Sequence, residues 1–275
     1  MSLTVNTNIA SMKSRTNLAR TSRSLQGSFE RISSGLRITK AADDAAGLGV
    51  AESLDAQEIS ARQAMRNTND GISVVQTAEG ATNEVSNIIK RMRELAVQSA
   101  SETLASTERA YIQTEYLALE EEVSRIANTV EFNGLALGNG TNTQLDVQVG
   151  VNNTTNDVLT IDFGDLRSTA LGIDSASIGL DTAANAFAAI DDLDAALDTL
   201  NDSRASYGAS QNRLDSSLRN METYSENLSS AQSQIRDADF AYETAELSKT
   251  QIMQQAGTAI LAQANQVTQG ALALI

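Results

Sequence analysis

Apolar positions recur along most of this chain at alternating intervals of three and four residues, the rhythm that keeps one helix face buried. The pattern is strictest towards the C-terminal side. Leu193, Leu200, Tyr207, Leu214, Met221, Leu228 and Ile235 fall seven apart, with Leu197 and Leu218 at intermediate positions. This predicts one uninterrupted helix over about 65 Å at 1.5 Å per residue, led in by Asp181 as N-cap. A second helix is expected over 45–98, where Ile72, Val75, Val85, Ile88, Met92 and Leu95 recur at helical spacing, and the polar stretch Ser99–Ser106 turns the chain. A third carries Ile112, Tyr116, Leu119, Val123, Ile126 and Val130, and Asn133-Gly134 is expected to end it through a left-handed residue.

Both ends carry apolar stripes of their own. Near the start, Leu18, Leu25 and Ile32 lie seven apart with Phe29 and Leu36 interleaved. The 25–29–32–36 spacing reads as a coiled-coil seam, capped at its start by Asn6, Thr7 or Asn8. Gly35 then breaks the helix, and Asp43 and Asp44 read as caps for the next one rather than metal ligands, because adjacent helical residues do not face each other. The other end carries Ile252, Met253, Ile260, Leu261, Val267, Leu272, Leu274 and Ile275. Neither end is long enough to fold alone, so each is expected to pair with the other and to be completed by assembly.

The period changes between the helical halves. Leu145, Val147, Val149 and Val151 alternate strictly, as do Leu159, Ile161 and Phe163, which predicts two strands joined by the polar loop 152–157. Seven of the 16 glycines fall in 134–180. The expected fold class is therefore mainly α: a long antiparallel helical bundle or coiled-coil rod with a small β-hairpin element and termini paired as an inner two-helix domain.

Composition narrows the function. There is no Cys and no His among 275 residues, which removes thiolate and imidazole metal sites and the usual general base. No catalytic residue, metal or cofactor is expected, and Glu120-Glu121-Glu122 reads as a solvated helix face. Net charge is −15, yet residues 1–40 carry seven basic side chains against Glu30 alone, a local +6 that leaves −21 for the rest. The acidic bulk argues against nucleic-acid binding. The basic, Ser-rich start also fits a mitochondrial transit peptide, but its stripe has a match at the other end. No apolar run approaches the ~20 residues of a membrane span, and no apolar core of a cleavable secretory signal follows Met1.

Specific strings now converge. SSGLRITKAADDAAGLG (33–49), NTNDGISVVQTAEG (67–80), RELAVQS (93–99) and FNG (132–134) resemble the N-terminal half of bacterial flagellin, and IRDADFAYETAELSKTQIMQQAGTAILAQANQ (235–266) resembles its C-terminal region. The resemblance covers roughly 1–135 and 185–275, and Thr268 departs from it by standing where flagellins commonly carry Pro. It implies a filament subunit with an inner two-helix domain of 1–42 and 236–275, and a bundle domain of 43–180 and 181–235 with its β element at 144–163. The variable outer domains would be missing. It further implies type III export without a cleavable signal, an extracellular filament built under a cap protein, contact with hook-junction proteins, and a secretion chaperone. Inner-core assembly residues would be Leu18, Leu25, Phe29, Ile32, Leu36, Ile252, Ile260, Leu261, Val267 and Leu272. The RELAVQS helix and its successor would present Arg91, Glu94, Leu95 and Glu115 to Toll-like receptor 5 or to a neighbouring subunit. A hook–filament junction protein of the same superfamily is the alternative. A plain coiled coil would give small oligomers, and an enzyme on this scaffold would need a larger insert than 134–180.

Overall fold

The computed structural model describes residues 7–174 and 178–272, with side chains described as far as Gln266. Helix α1 spans Ile9–Ser34, α2 Ala45–Ser99 and α3 Ser106–Thr129. Two short hairpins follow: β1 (Glu131–Phe132) with β2 (Leu135–Ala136), and β3 (Gln144–Gln148) with β4 (Val158–Asp162). A four-residue α4 (Ser168–Leu171), the long α5 (Ala183–Arg236) and α6 (Phe240–Leu272) complete the chain. Two compact units are distinguished. One combines the chain up to Glu58 with Glu226 onward, and the other is Ile59–Ser225.

Within the 59–225 unit, one core forms where α2, α3 and α5 meet. Val85, Ile89, Met92, Leu95, Ile112, Tyr116, Val123, Leu193 and Leu200 are buried there, closed over by Leu171, Ile173, Ile178 and Leu180. The predicted three-four spacing puts these side chains on facing stripes. Arg109 holds the α2–α3 turn by donating to the carbonyls of Ser99 (2.9 Å) and Ser101 (2.8 Å), which satisfies acceptors left open at the end of α2. Arg93 grips Asp194 of α5 through two bonds of 2.6 and 3.0 Å. The Arg93 guanidinium holds the Asp194 carboxyl below its ordinary range.

A second core lies under the β3–β4 hairpin. The strands are antiparallel, with Leu145 opposite Ile161 and Val147 opposite Leu159. Their inner side chains bury against Val74, Val75 and Ala78 of α2 and Tyr207 and Leu214 of α5, as the period-two pattern requires. The approach is close at Gly71, where a Cβ would stand 3.2 Å from Val147.

Several expectations are corrected in detail. Helix α3 stops at Val130, whose backbone is extended. Asn133 (φ 50°) and Gly134 (φ 80°) form the two-residue turn of the β1–β2 hairpin instead of a helix cap. At the start of α5 it is Thr182, not Asp181, whose side-chain oxygen accepts from the Asn185 N–H. Asp181 accepts from the Asn185 side chain. Asp44 caps α2 as expected, accepting from Gly47 N at 2.9 Å. Asp43 accepts from the backbone N–H groups of Lys40 and Thr39, which lower its pKa.

Replacing Ile161, fully buried beneath the hairpin, by Ala is expected to cost about 2–4 kcal/mol in chemical denaturation. The exposed Gln144→Ala on the same hairpin is expected to stay within about 0.5 kcal/mol.

Candidate functional site

The first and last described helices form an antiparallel pair. Asn8 caps α1 by accepting from Ser11 N at 3.0 Å and reaches across to donate to the Ala264 carbonyl at 2.9 Å. Further along, Leu18 packs at Gly257, where an added Cβ would stand 3.2 Å from its methyl. Arg31 Nε lies 2.8 Å from Glu243 Oε1. At the far end Leu36 and Asp237 form a backbone bridge, with Arg37 N donating to Arg236 O (2.7 Å) and Ala238 N to Gly35 O (2.9 Å). These contacts fix one register along the whole pair.

The seam itself runs through Ser11, Ser14, Leu18, Thr21, Leu25, Ser28 and Ile32 of α1, which are buried or half-buried. It meets Glu243, Leu247, Thr250, Gln254, Gly257, Leu261 and Ala264 of α6. Spacing alternates three and four on both helices, but nine of these fourteen positions are small or polar. The most deeply buried side chains of the pair are Ser28, Glu243 and Thr250. Ser28 Oγ and Glu243 Oε2 are shielded from solvent and make no hydrogen bond.

This seam corrects the expected one. Phe29, read from sequence as a seam residue, is 52% exposed, and Ser28 takes the interior position one residue earlier. Ile9, Met12, Ile252 and Ile260 also point outward, each more than half exposed. Of the expected assembly residues, Leu18, Leu25, Ile32, Leu36 and Leu261 are half-buried between the helices, while Phe29, Ile252 and Ile260 lie on outer faces. The side chains of Val267 and Leu272 lie outside the described residues, as do Leu274 and Ile275 altogether. The pair therefore hides small and polar groups and displays large apolar ones. Lys13, Arg15, Arg20 and Arg23 add exposed positive charge to α1, whereas α6 carries no charged residue after Lys249.

The second candidate cluster assembles in part. Arg91 donates to Glu94 within α2 (2.8 Å) and to Glu115 of α3 (2.8 Å), all on the surface. Its hydrogen bonds to Glu94 and then to Glu115 raise the Arg91 pKa further. Leu95 faces the opposite way and is buried at 1% exposure, so its side chain is core packing and not part of this surface. The cleft between Gln63 and Asn67 of α2 and Asn152–Asn153 is wide open to solvent. Among the described residues no three carboxylates cluster as a metal site, and no helix is long and apolar enough to cross a membrane.

Two family models match the chain at its helical halves: the bacterial flagellin N-terminal helical region over residues 5–143 and the bacterial flagellin C-terminal helical region over 190–275. The chain belongs to the bacterial flagellin family. It is similar to flagellin of Halalkalibacterium halodurans, 41% identical over 271 residues that cover 98% of this chain and 99% of that one. It is similar to flagellin FlaB2 of Treponema pallidum at 39% over 285 residues, covering 98% and 99%. In three dimensions it matches Bacillus cereus flagellin with a TM-score of 0.50 at 32% identity, over 57% of this chain and 88% of that chain. This flagellin is a structural subunit of the flagellar filament, and the hook–filament junction alternative is not favoured.

Because the flagellin has no native Cys, its inner register is open to a direct check. A Leu18→Cys, Gly257→Cys variant is expected to close an intramolecular disulfide in polymerised protein under mild oxidation. Phe29→Cys with Gly257→Cys, displaced by about 16 Å of helix rise, is expected to close none. Non-reducing peptide mapping reads both.

Proposed function

We propose that the outward faces of α1 and α6 are the surface through which subunits polymerise. One observation carries this: the large apolar side chains of the terminal pair, among them Met12, Phe29, Ile252 and Ile260, lie on its outside. Displayed to water, such faces favour association. Buried against neighbouring copies, each would be worth roughly 1.5–3 kcal/mol. The half-polar seam supports a second element of the reading. Two helices joined by so little apolar area do not offset the entropy of ordering them, so the end segments 1–40 and 236–275 order on assembly and not before. In this reading 1–42 with 236–275 form the innermost layer and 43–180 with 181–235 the surrounding bundle.

The filament is extracellular, and the chain reaches it through the flagellar type III route, met on the way by a secretion chaperone and at the tip by cap and hook-junction proteins. The Arg91–Glu94–Glu115 surface is a contact for Toll-like receptor 5 or for the next subunit. The chain performs no catalysis.

Electron cryo-microscopy in polymerising salt tests the assembly surface. The full chain is expected to form long tubes, and a chain lacking 1–40 and 236–275 to form none. Ile252→Asp is expected to raise the critical concentration at least tenfold, since burying an unpaired carboxylate costs several kcal/mol. Sharp, dispersed amide resonances from both ends of the free monomer would overturn the ordering step.

Arg91→Ala is expected to lower receptor activation roughly tenfold, the scale of one truncated contact residue, while thermal unfolding of the monomer changes little. Unaltered activation would remove the receptor from the reading.

A further inference from the structure

Methionine occupies sharply different environments in this chain. Met92 is fully buried in the α2–α3–α5 core, whereas Met12 is 60% and Met253 41% exposed. Both exposed thioethers sit on the terminal pair, Met12 on the outer side of α1 and Met253 at the margin of the seam. Met12 shares a depression on α1 with Ile9 and Arg20. Met253 lines a groove with Leu18, Gly257 and Ile260, where the Leu18 side chain packs at Gly257. An unbranched thioether fits an irregular contact face, but it is also the side chain most simply converted from apolar to polar without any change of sequence.

We propose that Met12 and Met253 form an oxidation-sensitive site: conversion of their thioethers to sulfoxides by a hydroperoxide in the free chain blocks polymerisation, and polymerisation protects them. The proposal rests on the reading of the outward faces as the assembly surface. In the step, a sulfur lone pair attacks the distal peroxide oxygen, the O–O bond breaks, and the proton moves to the departing oxygen. With hydrogen peroxide the products are a sulfoxide and water; sulfur loses two electrons and the peroxide gains them. The new S–O dipole then occupies a face that must be desolvated against a neighbouring copy, where a polar group without a partner is costly. Met92 is the internal control, since its sulfur has no path to the oxidant while the core stays folded. The chemistry is reversible by methionine sulfoxide reductases acting with a dithiol, which is oxidised to the disulfide as water leaves.

The test treats the purified full-length chain with hydrogen peroxide before or after polymerisation and maps sulfoxides by peptide mass spectrometry. In free chain, Met12 and Met253 are expected to oxidise and Met92 to resist. The oxidised chain is expected to polymerise only at a critical concentration raised roughly tenfold or more. Methionine sulfoxide reductases A and B with dithiothreitol are expected to restore it. In preformed tubes both sites are expected to stay reduced. A Met12→Leu, Met253→Leu variant, which keeps volume and polarity, is expected to polymerise equally well with and without peroxide. Equal oxidation of the two sites in chain and tube would overturn the proposal, as would peroxide inhibition of the double-leucine variant. Ile252→Asp, run in parallel, separates the two levels of inference. If it blocks assembly and oxidised chain assembles normally, the oxidation site alone falls. If it assembles normally, the assembly-surface reading falls and the proposal with it.

Discussion

The antiparallel pairing of α1 with α6 uses a seam too narrow and too polar to hide what the two helices carry. Leucines at 18, 25, 247 and 261 are interspersed with Thr21, Ser28, Thr250, Gln254 and Gly257, so the helices come close while excluding little apolar surface. Large side chains that would ordinarily fill such a seam stand on its flanks. Everything proposed for this flagellin follows from that division. The seam supplies direction and register through Asn8, Arg31 and the Leu36–Asp237 bridge. In the proposed assembly the flanks supply the association energy, available only when other copies are present.

The 59–225 unit is built on the opposite principle. Its two cores bury Leu, Ile, Val and aromatic residues from α2, α3, α5 and the β3–β4 hairpin. Tyr116 is fully buried and donates to the Ile173 carbonyl at 3.2 Å. Burial in that core pushes its hydroxyl pKa well above the usual tyrosine range. This unit has what a chain needs to fold alone, and the terminal pair does not.

Much of this architecture was legible where hydrophobic period and burial coincide. The heptad from Leu193 to Leu228 marks buried or half-buried positions of α5, and alternation at 145–151 and 159–163 marks the hairpin, though β3 ends at Gln148, short of Val151. Legibility failed where small polar residues occupy interior positions. Serine 28 carries no hydrophobic signal, so the neighbouring Phe29 was read in its place and the seam was turned by one residue. A three-four count through Leu18, Thr21, Leu25, Ser28 and Ile32 recovers it, provided Thr and Ser are admitted as seam residues. Asn133-Gly134 failed for a different reason. A left-handed pair suits a helix end and a hairpin turn equally, and only the two-residue strands on either side decide between them. In the Arg91 cluster the resemblance to flagellins supplied the residues; Glu94 does stand beside Arg91, but Leu95 lies one position further around the axis and turns inward.

The backbone rung between Leu36 and Asp237 has a mechanical consequence. The helical path breaks twice near this point, at Gly35 after α1 and around Asp237–Asp239 before α6, and the two breaks are bonded to each other by Arg37 N to Arg236 O and Ala238 N to Gly35 O. Two separate interruptions would each be a place where tension along the chain unwinds a helix end. Joined as one, they share it. In a filament, load that reaches one strand at this joint passes to the other through two peptide hydrogen bonds and the Arg37 guanidinium on the Ile235 carbonyl, so the break in the helical path is a doubled one.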